Sequence, residues 1–306
     1  MCGIVGLLIK KHEHREKLGE WMTPMFTCMA ARGSDSGGLA IFGESLGQRE
    51  RRFSLFARDR GYDWEDLKAS LLRRFDGSSR ETARMDTRAN HAVLVSSIEP
   101  ATLRSWLKDT APSLHVLSVG QVIDLYKDMG DPKEIAVRYR FAGMAGSHCV
   151  GHTRMATESD VTPVHAHPFT AGEDFCLVHN GSLSNPYMLR RTLEKRGIVF
   201  ETDNDTEAAC RFIEWRLAQR DTLANALHHA FRHLDGFYTL LMATADQMTL
   251  VRDQFACKPA VVAETDDYVA ISSEFRSLAH LPDISKAHTF EPEPEEIYSW
   301  KVSAPR

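Results

Sequence analysis

From Gly146 onward, short apolar runs recur, and several neighbours are joined by connectors too short for a parallel crossover. The runs are "SHCVGHTR", "DFCLVHN", "FYTLLMAT", "MTLVRD", "AVVAET" and "YVAISS", and tight turns such as "TADQ" and "ETDD" join neighbours. Parallel strands need a crossover of about a dozen residues or more, so this spacing predicts antiparallel sheets rather than a doubly wound parallel one. Two helical patterns, "YMLRRTLEKRG" and "TEAACRFIEWRLAQR", interrupt the strands. The opening "MCGIVGLLIK" reads as a buried strand from Cys2 to Ile9. A helix follows, with Leu18, Trp21, Met22, Met25 and Met29 at helical spacing and Pro24 inside it. Then come the turn-rich loop "ARGSDSGG" and the strand "LAIFG".

From about Arg51 to about Phe141 the texture changes. "RRFSLFAR", "HAVLVSS" and "LHVLSV" read as strands, and "DWEDLKASLLRRF" and "PATLRSWLKD" as helices. "GSSRETARMDTRAN" reads as a polar loop, and "DPKEIAVRYRF" as a helix with an Asp-Pro start. The expectation is one domain over 2–306, interrupted at about 51–141 by a small α/β insertion. The acidic, Pro-spaced "EPEPEEIYSW" reads as a surface segment leading to a last strand.

Composition removes several functional classes. The net charge of −5 gives no support for nucleic acid or an anionic membrane as partner. No apolar run approaches the roughly 20 residues of a membrane span, and the opening run is too short for a signal peptide. The six cysteines, Cys2, Cys28, Cys149, Cys176, Cys210 and Cys257, are scattered with no Cys-x-x-Cys pair. That argues against a disulfide framework or zinc knuckle and for a reducing, cytoplasmic setting. His165 and His167, with His148 and His152, lack a carboxylate or cysteine to complete a clear metal set. No Gly-rich phosphate loop or dinucleotide fingerprint is visible.

What remains is a cysteine at the second residue. If Met1 is removed, Cys2 carries a thiol and a free α-amine, a nucleophile and a base on one residue. An α-amine has a pKa of about 7.7–8.0 and a thiol about 8.5, so near neutral pH the amine can take the thiol proton, directly or through water. Asn180 and Gly181, at the end of "DFCLVHN", offer a side-chain amide and a backbone N–H to one developing oxyanion. Asn-Gly is also a strong turn signal.

Five stretches occur together and in order: "MCGIVG", "RGSDSGG", "GHTRMAT", "LVHNGSLSN" and "TDNDTEA". With them the chain resembles the class II glutamine amidotransferases of the N-terminal nucleophile (Ntn) hydrolase superfamily, over Cys2 to Gly43 and Gly146 to about Trp300. The resemblance implies an α+β fold, a four-layer αββα sandwich of two antiparallel sheets. It implies hydrolysis of L-glutamine to L-glutamate and ammonia through a Cys2 thioester, with Asn180 and Gly181 as oxyanion donors. Arg154 matches the arginine that grips the substrate carboxylate, Thr157 a neighbour lining that site, and Asp205 the acid that receives the α-ammonium. Asp205 also stands where a helix could start, so an N-cap is an alternative, and both can hold. Arg32 and Asp35 match a loop near the nucleophile, read as structural. Ser34, Met155 and Glu158 depart from the family's usual residues, at the pocket wall and a mobile loop. "GHTRMATES", "LVRDQFACKPAV" and "DGFYTL" narrow the resemblance to the amidotransferase subunit of N-methylglutamate synthase and its glutamate-synthase-like relatives. That implies a larger partner subunit bearing FMN and an iron–sulfur cluster, with no cofactor in this chain. The alternatives are a catalytically silent assembly subunit and an Ntn amidase with another substrate.

Overall fold

The computed structural model describes residues 2–75, 83–155 and 162–303. The chain opens with β1 (Gly3–Ile9), crosses helix α1 (Leu18–Cys28) and returns as β2 (Ser36–Phe42). Next come β3 (Arg51–Ala57), α2 (Trp64–Arg74), β4 (Arg84–Arg88), β5 (His91–Ser96), α3 (Pro100–Thr110) and β6 (Leu114–Gly120). Strand β7 (Ile123–Met129) and helix α4 (Pro132–Arg138) lead into β8 (His148–Arg154), β9 (Phe169–Thr170) and β10 (Cys176–Leu183). Helices α5 (Pro186–Glu194), α6 (Asp205–Ala218) and α7 (Leu223–His233) follow. The chain closes with β11 (Gly236–Ala243), β12 (Gln247–Arg252), β13 (Val261–Glu264), β14 (Tyr268–Ser272), β15 (His288–Phe290) and β16 (Ile297–Lys301).

Side-chain oxygens start the helices. Asp63, Glu99, Asp131, Asn185, Asn204 and Thr222 each accept from an amide in the first turn of α2 to α7. A proline opens α3, α4 and α5, where its missing N–H is not needed. Asn204, not Asp205, is therefore the N-cap of α6, and Asp205 is its first helical residue.

A seven-stranded sheet, ordered β15-β13-β14-β1-β8-β2-β7, lies against a five-stranded sheet, ordered β16-β12-β11-β10-β9. Alternation decides what each face meets. Ile4, Leu8 and Val150 of the first sheet pack with Val178, Leu241 and Leu250 of the second, forming the layer between the sheets. Val5, Leu7 and Ile9 point the other way, onto Met22, Met25 and Phe26 of α1. Leu177, Leu240 and Met242 face Phe212 and Ile213 of α6 and Leu227 of α7. The result is the expected α+β sandwich of helix, sheet, sheet and helix.

A third sheet, ordered β4-β5-β3-β6, packs with α2 and α3 around its own core of Phe53, Leu55, Leu67, Leu71, Leu94 and Leu103. This separate unit runs from Arg51 to Gly120, short of the expected 141. Beyond it, β7 pairs with β2 along its whole length, and Ile135 and Ala136 of α4 join the core under the main sheet. The unit is tied to its host by buried polar groups: the Leu125 amide donates to Ser54 Oγ at 2.8 Å. The Tyr139 hydroxyl lies 2.7 Å from both Asn90 Oδ1 and Asp128 Oδ2. Residues 77–82 of the expected polar loop lie outside the described residues, and its later part contributes β4.

Candidate active site

The β1–β8 register pairs Gly3 with Thr153, so the residue before β1 stands beside the last residue of β8. Period two then assigns the faces. Cys2 shares parity with Ile4 and Leu8, and Arg154 shares it with Val150, so both belong to the side facing the second sheet. Asn180 follows Cys176 and Val178 onto the same layer from β10. The two sheets are pinned at this end by His152, whose Nε2 donates to the His179 carbonyl at 3.0 Å. Cys2, Arg154 and Asn180 thus converge at one end of the inter-sheet layer, although they come from three strands.

The nucleophile's backbone is held from several directions. Arg32 Nε donates to the Cys2 carbonyl at 2.9 Å, and its Nη1 donates to Glu274 at 2.9 Å. The Ile4 amide donates to Ser273 Oγ at 3.0 Å. The Cys2 thiol lies 3.9 Å from the Met155 carbonyl. Burial pushes the thiol pKa up, while the positive charges of Arg154 and Arg32 pull it the other way. The net rise keeps the resting group a thiol, so attack needs a nearby proton acceptor. Arg154 is buried, and the "RGSDSGG" loop presses on its backbone: the Asp35 amide donates to the Arg154 carbonyl at 3.0 Å. A Cβ on Gly33 would come 2.5 Å from the Arg154 carbonyl carbon, so the contact requires glycine.

Asn180 is 4% exposed, and its Nδ2 has no hydrogen-bond partner among the described residues. A buried donor left unpaired costs about 1–3 kcal/mol, which marks it as held for something else. Gly181 adopts φ +143° with its Cα against the Phe237 carbonyl, a conformation and a contact that both exclude a side chain.

Asp205 joins from α6. Its Oδ2 accepts from the Leu183 amide at 2.9 Å, at the end of the strand that carries Asn180. Its Oδ1 lies 3.2 Å from Thr206 Oγ1 and 3.7 Å from His179 Nδ1. Burial would raise its pKa, but the His179 ring and the donors from Leu183 and Thr206 outweigh it and hold the carboxyl at about 2. Asp205 is a carboxylate at any physiological pH. Thr157 and Glu158, with Met1, lie outside the described residues. The sequence reading missed His179 as a participant: its ring bonds Thr206 Oγ1 at 3.0 Å and so links the Asn180 strand to α6. The four histidines weighed as a metal set have separate roles. His148 stacks on Phe42, His152 stacks on His167 and His165 bonds Asp203.

Residues 152–280 match the family described as glutamine amidotransferase domain. Over 301 residues the chain is 43% identical to glutamine amidotransferase-like protein GlxB of Rhizobium meliloti (strain 1021), covering 98% of each. It is 36% identical over 124 residues to glutamine–fructose-6-phosphate aminotransferase of Aliivibrio fischeri, covering 40% of this chain and 20% of that one. Among solved structures it overlays the glutamine phosphoribosylpyrophosphate amidotransferase of B. subtilis with a TM-score of 0.61 at 17% identity. That overlay covers 99% of this chain and 50% of the other, so the chain spans half the length of that solved relative.

Proposed function

The chain belongs to the class II glutamine amidotransferases, and from that premise we propose that Cys2 attacks the side-chain amide of L-glutamine. With Met1 removed, the Cys2 α-amine takes the thiol proton and the sulfur bonds to the amide carbon. Charge develops on the former carbonyl oxygen, and Asn180 Nδ2 and the Gly181 N–H receive it. The Cys2 ammonium returns that proton to the amide nitrogen, so collapse expels ammonia and leaves a thioester, which water, giving up a proton to the same amine, hydrolyses to L-glutamate and the free Cys2 thiol. Arg154 grips the substrate carboxylate and Asp205 takes the α-ammonium, and the family likeness gives Thr157 a part in lining the glutamine site. The observation that carries this reading is the convergence of a thiol, a buried guanidinium, an unpaired buried amide donor and a fixed carboxylate at one end of the sandwich.

The test is glutaminase activity of native protein whose mass corresponds to a chain starting at Cys2. Cys2→Ala should abolish turnover while glutamine still binds. A preparation that retains Met1 and still hydrolyses glutamine would sink the amine-as-base mechanism.

The ammonia, in this reading, passes to a larger glutamate-synthase-like subunit of the N-methylglutamate synthase type, which carries FMN and an iron–sulfur cluster. The motif likeness supports this identification, and the surface of the Arg51–Gly120 unit is the proposed dock. Native pull-down from the source organism tests it, since recovery of no larger subunit argues against the assignment. Charge reversals at exposed Arg60 and Arg84 are better probes than deleting the unit, because deletion would strip Tyr139 of its Asn90 partner.

A further inference from the structure

A cavity of about 100 Å³ lies where the Arg51–Gly120 unit meets the main domain, away from Cys2. Three segments contribute cations to its wall: Arg104 on α3, Lys127 on β7 and Arg211 on α6. Two carboxylates, Glu201 and Glu207, also line it. Glu207 is saturated by the amides of Glu201 and Thr202 at 2.9 and 2.7 Å, the Thr202 hydroxyl at 2.7 Å and Arg211 at 3.4 Å. Glu201 lies 3.6 Å from Arg211. Both acids are thus already paired with the one cation, Arg211.

Among the described residues the other two cations have no counter-charge in contact. Arg104, at the exposed mouth of the cavity, makes no hydrogen bond and no ion pair there. Lys127 is 4% exposed and donates only to backbone carbonyls, Val164 at 3.1 Å, Ala166 at 2.9 Å and Pro168 at 3.4 Å. Its ammonium also lies 4.9 Å from the centre of the Phe169 ring. Taking an ammonium out of water without an anion beside it costs several kcal/mol. Burial accordingly pulls its pKa down to about 8, which leaves it mostly charged at neutral pH. Burial also lowers the pKa of His115, another lining residue, so His115 adds no charge there.

We propose that this cavity is a binding site for a small oxyanion, a phosphate or short carboxylate, held between Arg104 and the Lys127 ammonium. The exposed Arg104 guanidinium is free to turn two donors toward such an ion beside the buried ammonium, and the volume excludes anything as large as a nucleotide. The site also has a reason to matter. Part of the wall comes from the Val164–Gly172 stretch, whose His167 ring stacks on His152 of β8, the strand that ends in Arg154, and part from Glu201 to Glu207, which brackets Asp205. An anion there would brace the stretch packed against the Arg154 strand and the segment that carries Asp205. It would lower KM without changing kcat. This coupling rests on the glutaminase reading above; the binding itself does not.

The experiment is a calorimetric titration of the full chain with inorganic phosphate near pH 7, with sodium chloride holding ionic strength constant. One saturable site is expected. Arg104→Ala should weaken it by about tenfold or more. Lys127→Met should weaken it too, with circular dichroism confirming that the variant folds. Arg154→Ala should leave it intact, since the catalytic guanidinium lies elsewhere. No saturable heat, or binding lost in Arg154→Ala and retained in Arg104→Ala, overturns the site. A glutamine KM that phosphate lowers in the wild type and not in Arg104→Ala supports the coupling. Phosphate binding with KM unmoved overturns the coupling alone.

Discussion

Arg32 Nε donates to the carbonyl oxygen of Cys2 at 2.9 Å, across thirty positions of sequence. The bond holds the Cys2 carbonyl just before β1 begins. Glu274 braces the far side of the same guanidinium at 2.9 Å and receives Arg276 as well. Arg32 therefore holds the backbone that carries the Cys2 thiol.

Replacing Arg32 with Ala should lower kcat by roughly tenfold to a hundredfold, the equivalent of one charge-assisted hydrogen bond of about 1.5–3 kcal/mol. Glutamine affinity, measured in a Cys2→Ala background, should hardly change. A rise in KM at constant kcat would instead make Arg32 a substrate ligand.

Asn180 gives a sharper separation of stability from catalysis. Its buried Nδ2 has no partner among the described residues, so removing it forfeits no hydrogen bond seen there. Asn180→Ala should cost about 10²–10³ in kcat, as other oxyanion donors do. Chemical denaturation should show little loss of stability attributable to that amide. A large loss of stability would mean that the amide has a structural partner in solution.

Asp205 predicts a pH response. Its folded pKa, about 2, lies below the ordinary carboxyl value of 3.8. The unfolded chain therefore takes up the proton first as pH falls, so the stability Asp205 contributes is complete above about 4 and drains away toward 2. Asp205→Asn should flatten the acid limb of an unfolding profile in that window and raise the glutamine KM at pH 7. An acid limb identical in the two proteins would remove the Asp205–His179 contact from the account.

The candidate site lies on short motifs at strand ends, where alternation fixes the facing. Cys2, Arg154 and Asn180 could be assigned to one layer by counting from neighbouring apolar residues. The sandwich was legible for the same reason, since "GIVGLLI" and "CLVHN" alternate between two covered faces. Strand β7 was not, because "IDLYKDM" carries Lys127 and Asp128, which read as surface residues and are both 4% exposed. Their partners, the Val164–Pro168 carbonyls for one and Arg138 and Tyr139 for the other, are set by tertiary packing alone. Missing β7 placed the end of the insertion at 141 rather than 120. Helix α7 was overlooked although Thr222 supplies its cap, because "LANALHHAFRH" is rich in histidine and short.

Lys127 itself offers the last test. Its folded pKa, about 8, is below the ordinary lysine value of 10.5, so between those values the unfolded chain holds a proton that the folded chain has released. Stability must then rise with pH across that window, the reverse of what a lysine in a salt bridge would show. The groups facing the ammonium are the carbonyls of Val164, Ala166 and Pro168, the Phe169 ring, and, across the cavity, Glu201 and Glu207. Denaturant unfolding of wild type and Lys127→Met from pH 7 to 10 should show the wild type gaining on the variant as pH climbs. Lys127→Arg cannot discharge in this range, so it should lack the gain while keeping donors for the loop carbonyls. Added phosphate should shift the onset of the gain upward, because an anion beside the ammonium favours its charged form. A wild-type curve parallel to that of Lys127→Met would mean that the ammonium is hydrated in solution, and the cavity would lose its buried charge.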